Sequence, residues 1–319
     1  MIQALNGDFL ARMGAAQPTL SPKMARLATF LSDNYVQAAF MTTRTIAAAA
    51  GVSLATVVRF PAVLGYPDFD SFRGSIQDRV NFDLTGVERI RALPTANRSP
   101  SALLGRIIDS EIENLAALAR TFSEGELNRF VSALMDADQV MIVGFRYVSP
   151  LTLYFGYSLS KIKPNVRAFT QGDSSLYDRV RLMGDNDVLV TISFARYPRD
   201  QLSLMRCAKS LGKRILAITD SPLSPVLPLA DVALFAKTSL LDFVGSLSAP
   251  SALINCVVSE LGVRMGDEAL ERLQAIEDIA ESAGTYVSGG SRSSPSERRL
   301  LAWQVPEVEL AQTKQEGKR

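Results

Sequence analysis

The 319-residue chain carries 34 basic and 33 acidic side chains, a formal net charge of +1, with 47 % hydrophobic and 21 % charged residues, which describes a soluble, folded protein and not a disordered one. It contains no histidine, so Ser-His-Asp triads, His-ligated zinc and imidazole bases are excluded, and any catalysis would fall to carboxylates, Lys, Tyr or Cys. A net charge this small does not mark a nucleic-acid binder, because the electrostatic part of DNA affinity needs a basic face.

The opening MIQALNGDFLARMG lacks a basic stretch followed by an apolar run, and no segment is long and uncharged enough to span a bilayer. A cytoplasmic protein with no membrane partner is the expectation. Residues 1–80 read as short helices without strand alternation. Leu20, Met24, Leu27, Ala28 and Leu31 recur at helical spacing, with Ser21 before Pro22 as cap and first-turn residue. This module has seven basic and five acidic side chains, a net of +2, so a DNA-binding role must rest on motif.

The motif is TTRTIAAAAGVSLATVVRFPAVLGY, residues 42–66. Thr43 caps a helix through Ala50, Gly51 takes the left-handed conformation that ends it, Val52 plugs the gap between helices, and Ser53 caps the next helix. Ala47 and Ala48 are small where two helices approach closely. The second helix presents Leu54, Ala55, Thr56 and Arg59 near its start, where a recognition helix meets DNA. Arg59 suits a forked contact to guanine or a phosphate clamp; Thr43, Arg44, Ser53 and Thr56 suit phosphate oxygens or base edges. The pattern also fits a plain helical hairpin with polar caps. Pro61 lies inside the second helix, which either ends near Phe60 or bends there.

Residues 81–136 continue as helices, and LPTANRSPS, with Pro94, Asn97, Ser99 and Pro100, reads as a linker. LLGRIIDSEIENLAALA sets Leu104, Ile107, Ile108, Ile112, Leu115 and Leu118 on one broad face. From 138 strands alternate with helices: 139–145, 166–170, 187–194, 213–219 and 231–236 are short β-rich runs. A parallel sheet covered on both faces follows, closed by helices through SAPSALINCVVSELGVRM and 267–283. Cys207 and Cys256 lie in apolar runs, as buried thiols do in a reducing compartment. After Thr285 the sequence is rich in Ser, Gly and charge, and a disordered tail over 285–319 is expected; Leu300 to Trp303 is its one segment suited to docking.

Ligands of doubly wound folds sit where strand carboxyl ends, loops and helix N-termini converge. Here GFRYVSPLT offers Gly144, Arg146 and Ser149, with Gly144 letting the backbone turn and Ser149 before Pro150 as the cap and first-turn pair of a helix. ISFARYPRDQ offers Ser193, Arg196, Tyr197 and Arg199 ahead of a helix near Pro198, and ITDSPLSPV offers Thr219, Asp220, Ser221 and Ser224. These hydroxyls, guanidinium groups and helix starts suit a phosphorylated or carboxylated small molecule. The predicted ligand set is Gly144, Arg146, Ser149, Ser193, Arg196, Arg199, Thr219 and Ser221, with no metal and no cofactor.

The stretch from Ser21 through Arg73, including GVS, Thr56, Arg59-Phe60, Leu64-Gly65-Tyr66, Phe69 and Phe72, resembles the N-terminal domain of RpiR-type regulators. Residues 124–265 resemble the sugar isomerase (SIS) domain that follows it in that family, most strongly at AITDSPLSPVLPLADVAL. The resemblance implies an α/β chain in which an all-helical helix-turn-helix domain (1–80) and a helical linker and dimerisation segment (81–123) precede a doubly wound, five-stranded parallel SIS domain (124–284). It also implies a sugar-phosphate or related effector at the strand ends. Ser193 matches the family serine ending the third strand. In the first loop Val148 stands at the serine position with Ser149 beside it, and Ala195-Arg196-Tyr197 replaces the usual Ser-Gly-Thr. The leading expectation is a transcription regulator, dimeric or tetrameric, with operator DNA and a sugar phosphate or sugar acid as partners. The rival is a SIS-type sugar-phosphate isomerase, for which Glu260 is the available base, and a third reading is an interaction module that binds no DNA.

Overall fold

The computed structural model describes residues 9–39, 41–83, 87–88, 99–238 and 245–286. Pro94 and Asn97 of the expected linker, and the expected tail from 287 onward, lie outside them. The chain divides into two units, 1–273 and 274–319. In the second, the described residues complete a helix begun in the first, where Gln274 Nε2 donates to Asp278 Oδ1 at 2.7 Å.

Among the described residues six α-helices come first: α1 (Phe9–Ala16), α2 (Pro22–Asp33), α3 (Tyr35–Ala38), α4 (Thr43–Ala50), α5 (Leu54–Val63) and α6 (Phe69–Asp83). Ser21 stands at the N-cap position of α2 with Pro22 in the first turn, as the sequence predicts, but its side chain makes no capping hydrogen bond. The helices close on a core containing Phe9, Leu27, Leu31, Ile46, Val57, Phe60 and Phe72. Phe60 and Phe72 meet edge to face at 5.8 Å between centroids, a packing that fixes α5 against α6; full burial of each such ring contributes about 1.5–3 kcal/mol.

Then follow α7 (Pro100–Thr121) and α8 (Glu124–Asp136). Ser99 caps α7, its Oγ accepting Ala102 N–H at 3.1 Å, with Pro100 in the first turn, so the last part of the expected linker is the helix start itself. The predicted broad face of α7 divides. Leu118 packs on the α/β core, whereas Leu104, Ile107, Ile108, Ile112 and Leu115 are exposed.

All five expected strands form: β1 (Val140–Val143), β2 (Val166–Phe169), β3 (Val188–Ile192), β4 (Arg214–Thr219) and β5 (Val232–Phe235). They make one sheet in the order β2-β1-β3-β4-β5, parallel throughout. Between them run α9 (Ser149–Ser160), α10 (Ser174–Arg181) and α11 (Arg199–Ser210), and α12 (Ser248–Met265) and α13 (Asp267–Ser282) follow. Alternate strand residues separate two cores. Ile142, Val190 and Ile218 pack with α8, α9 and α12; Met141, Val143, Leu189 and Ala217 pack with α10 and α11. Helices therefore cover both faces, as continuous apolar strands require. The chain leaves β1 for β2 and returns to β3 on the other side of β1. The crevice of the fold thus opens between the carboxyl ends of β1 and β3, with α9 and α11 starting there on opposite faces. Cys207 and Cys256 are free thiols, half-buried where full burial was expected.

Candidate functional site

Two regions concern function, the α4–α5 pair and the carboxyl edge of the sheet. The axes of α4 and α5 turn by 101°, within the range of helix-turn-helix pairs. Gly51, at φ +63°, ends α4 and returns its N–H to Ala47 and Ala48 carbonyls. Ser53 caps α5, its Oγ accepting Thr56 N–H at 3.2 Å. Val52 is half-buried against the helical core.

Two expectations need correction, and one of the two alternatives for Pro61 is removed. The cap of α4 is Thr42: it has extended backbone and its Oγ1 accepts Thr45 N–H at 3.1 Å, so Thr43 is the first helical residue. Of the two alanines expected at the close approach, Ala47 is buried but Ala48 is exposed, and the second buried alanine of α4 is Ala50. Pro61 does not end α5, which runs on to Val63. Pro61 lies in the last turn, so its missing donor costs one hydrogen bond, and its carbonyl accepts Leu64 N–H and Tyr66 N–H at 3.0 and 2.9 Å. Arg44 and Arg59 are exposed, Thr43 and Thr56 half-buried.

At the sheet edge, hydrogen bonds tie the three predicted loops together. Gln201, fully buried in the first turn of α11, donates from Nε2 to Thr191 Oγ1 (2.7 Å) and Ile192 O (2.8 Å). Its Oε1 accepts Phe145 N–H at 3.3 Å, joining the loops after β1 and β3. Asp220 joins the loops after β3 and β4 by accepting Ala195 N–H at 3.0 Å and the Tyr197 hydroxyl at 2.7 Å. Burial pushes the Asp220 carboxyl above the ordinary 3.8, opposed by these hydrogen bonds.

The predicted ligand residues fall into three kinds. Arg146, Arg196 and Arg199 are exposed; Arg146 holds a left-handed backbone at φ +63°, and Arg199 is the first residue of α11, behind Pro198. Gly144, Ser149, Thr219 and Ser221 have their polar groups engaged within the fold. A Cβ on Gly144 would lie 2.2 Å from Thr152 Oγ1 and 3.1 Å from Ile192 O, so glycine is required there by close approach and not by a positive-φ turn. Ser149 does not cap α9 as expected: it is the first helical residue, with Val148 at the N-cap position, and its Oγ donates to Thr170 O at 3.4 Å instead. Thr219 Oγ1 donates to Ser193 O at 2.8 Å and lies 2.8 Å from Ser224 Oγ. Ser221 Oγ accepts Leu223 N–H at 3.1 Å.

Ser193 is alone in the third kind. Its backbone N–H donates to Ile218 O at 3.0 Å, while its Oγ is fully buried with no hydrogen-bond partner among the described residues. A hydroxyl left so is costly unless something else pairs it. Sequence reading missed Gln201 as a site residue. Its only signal was a polar residue two positions into the helix that follows a strand end.

Comparison with known proteins bears on both regions. Residues 133–259 match the SIS domain family, and this part of the chain is a SIS domain. An uncharacterized HTH-type transcriptional regulator of Clostridium perfringens is 21 % identical over 231 residues, 71 % of this chain and 82 % of that protein. The uncharacterized HTH-type transcriptional regulator YfhH of Escherichia coli is 26 % identical over 222 residues, 67 % and 76 % of the two chains. Among solved structures, the sugar isomerase domain of an RpiR transcription factor from Sphaerobacter thermophilus is 26 % identical, with a TM-score of 0.54. It covers 55 % of this chain and 98 % of its own. The Vibrio vulnificus NanR protein complexed with ManNAc-6P shares the fold at 19 % identity and a TM-score of 0.54, over 86 % of this chain and 98 % of its own.

Proposed function

We propose that this chain, built as RpiR-type regulators are with a helix-turn-helix ahead of a SIS domain, is a DNA-binding transcription regulator controlled by a small anionic effector. The observation that carries the reading is the 101° pair α4–α5 joined in one chain to a SIS domain. Residues 1–80 would bind DNA, 81–123 link and pair the chains, and 124–284 sense the effector.

The effector we assign is a phosphorylated sugar or a sugar acid held between the loops after β1, β3 and β4. Arg146, Arg196 and Arg199 supply cations, the start of α11 supplies backbone N–H groups, and Ser193 supplies a hydroxyl with no other partner among the described residues. The NanR structure holds such a sugar phosphate. RYPRD in place of the family's Ser-Gly-Thr run puts one guanidinium group in the loop after β3 and another at the start of α11, which favours a ligand with more than one anionic or carbonyl oxygen.

Two contacts offer a route from effector to DNA. Lys237, just beyond β5, has its Nζ 3.4 Å from where a Cβ on Gly74 of α6 would stand. On the other route, the Tyr147 ring of the first loop crowds Gly245, and Ser246 Oγ donates to Glu111 Oε2 of α7 at 2.5 Å. A ligand that moves either loop changes what α6 and α7 rest on, provided it binds the two arrangements unequally. The exposed stripe Leu104, Ile107, Ile108, Ile112 and Leu115 of α7 is the surface we assign to pairing, in a homodimer or homotetramer that presents two copies of α5 to successive turns of DNA.

The isomerase reading is disfavoured by where the carboxylates are. Glu260 lies twelve residues into α12, about 18 Å along the axis from a start near the strand ends, and pairs with Arg264 at 2.7 Å. Asp220 has both oxygens engaged by Ala195 and Tyr197. Among the described residues no single helix is long and apolar enough to cross a membrane. The test is a thermal-shift screen of phosphorylated sugars and sugar acids on the full chain, paired with a turnover assay. Binding without turnover supports the reading: a ligand at a hundred times its Kd adds about 2.7 kcal/mol. Turnover that is lost in Glu260→Gln contradicts it.

A further inference from the structure

The outward face of α5 is unusually apolar for a helix that reads DNA. Val57, Phe60 and Pro61 are buried in the module. The remaining positions form two rows four residues apart: Leu54, Val58 and Ala62 in one, Ala55, Arg59 and Val63 in the other. All six are exposed, with Leu54 at 43 % and Val58 at 54 %. Thr56 is half-buried, and its Oγ1 lies 2.9 Å from Ser53 Oγ. Arg59 is therefore the one exposed hydrogen-bonding side chain along α5.

The surroundings fit a polyanion. From Asn34 to Pro67 the chain carries Arg44 and Arg59 and no carboxylate. A helix so placed, with apolar side chains on its leading turns, needs an apolar feature in the groove. The major groove offers one, the C5-methyl group of thymine; every other base edge there presents donors or acceptors. The first turns of a recognition helix are the ones that reach base edges.

We propose that Leu54, Ala55 and Val58 read thymine methyl groups, with Arg59 beside them on a guanine, so that each half-site is a short thymine-rich run next to one guanine. This inference rests on the DNA-regulator reading above. Specificity then comes from methyl contacts and one forked hydrogen bond, not from a set of polar side chains.

The experiment selects duplexes from a randomised pool with the full chain, with and without a mixture of sugar phosphates, and resynthesises the enriched duplex with each thymine in turn replaced by deoxyuridine. Each contacted methyl lost should weaken binding about fourfold, the effect of one buried CH₂-sized group. In Val58→Ala the uridine effect should vanish at one thymine and persist at the others, and Leu54→Ala should erase a different one. Arg59→Ala should relax selection at the guanine alone. Uridine effects within twofold at every position would overturn the inference while leaving the regulator reading intact. So would a Val58→Ala protein that loses self-association but keeps its sequence preference, because that face would then meet protein. A pool with no enriched sequence under either condition would remove the regulator reading and this inference with it.

Discussion

The Thr219 hydroxyl donates to the carbonyl of Ser193 at 2.8 Å, yet Ser193's own hydroxyl, in the same buried spot, has no partner among the described residues. The carboxyl ends of β3 and β4 are thus joined through one group while a second is left for something else. Ser193→Ala should therefore hold stability unchanged or raise it by up to about 1 kcal/mol, since it deletes an unpaired buried hydroxyl. The same variant should lose effector affinity tenfold or more. Denaturant melts and calorimetric titration of a bound sugar phosphate check the two halves; a destabilised protein with normal affinity would show that the hydroxyl is structural.

Gln201 reaches Phe145 N–H, Thr191 Oγ1 and Ile192 O from one buried side chain. Gln201→Leu keeps the volume and strands those groups, so it should cost about 3 kcal/mol of unfolding free energy. Effector affinity should fall too, because the loops after β1 and β3 lose their common support. Urea denaturation at constant m-value measures the first effect.

At Gly144 a Cβ would stand 2.2 Å from Thr152 Oγ1. Gly144→Ala should destabilise by about 2–3 kcal/mol through overpacking. Removing the obstructing hydroxyl and methyl in Gly144→Ala/Thr152→Ala should recover part of the loss, although Ile192 O remains 3.1 Å away. Strict additivity of the two single variants would argue against the clash as cause.

The Asp220 carboxyl is raised above 3.8 by burial, so the native state holds its proton more tightly than the unfolded chain does. The stability this contributes is complete below about pH 3.8 and is lost as pH rises through the raised native value. Asp220→Asn does not titrate. The stability of the natural protein minus that of Asp220→Asn should therefore fall as pH rises from that point, in chemical melts run across acid to neutral pH. A difference that stays flat, or that grows with pH, would contradict the assigned direction.

Much of the fold was legible because its signals are local. Each strand was marked by an apolar run between turn residues, and Gly51 and Ser53 announced the bend between α4 and α5 through backbone requirements that few residues meet. The misreadings have equally physical sources. Thr42 and Thr43 are chemically equivalent caps, and only the backbone decides between them. Pro61 breaks a helix in general but not when it falls in the last turn with its ring in the core. In the site, residue type drew attention to Thr219 and Ser221, but long-range pairing engages the first with Ser193 O and a local turn engages the second. Gln201 was invisible because its role depends on two strand ends meeting in space. The division of the α7 face between Leu118 and its exposed neighbours also depends on tertiary packing, which periodicity does not encode.

An anionic effector bound at Ser193 should alter DNA binding by α5. The direct measurement is fluorescence anisotropy of the full chain on its selected duplex, at fixed salt, with and without a saturating sugar phosphate identified by thermal shift. Saturating effector should change the Kd for DNA at least fivefold, about 1 kcal/mol of coupling, and the change should be absent in Ser193→Ala, which still binds the duplex. A DNA affinity indifferent to saturating effector, or a Ser193→Ala protein that responds like the natural one, would contradict it.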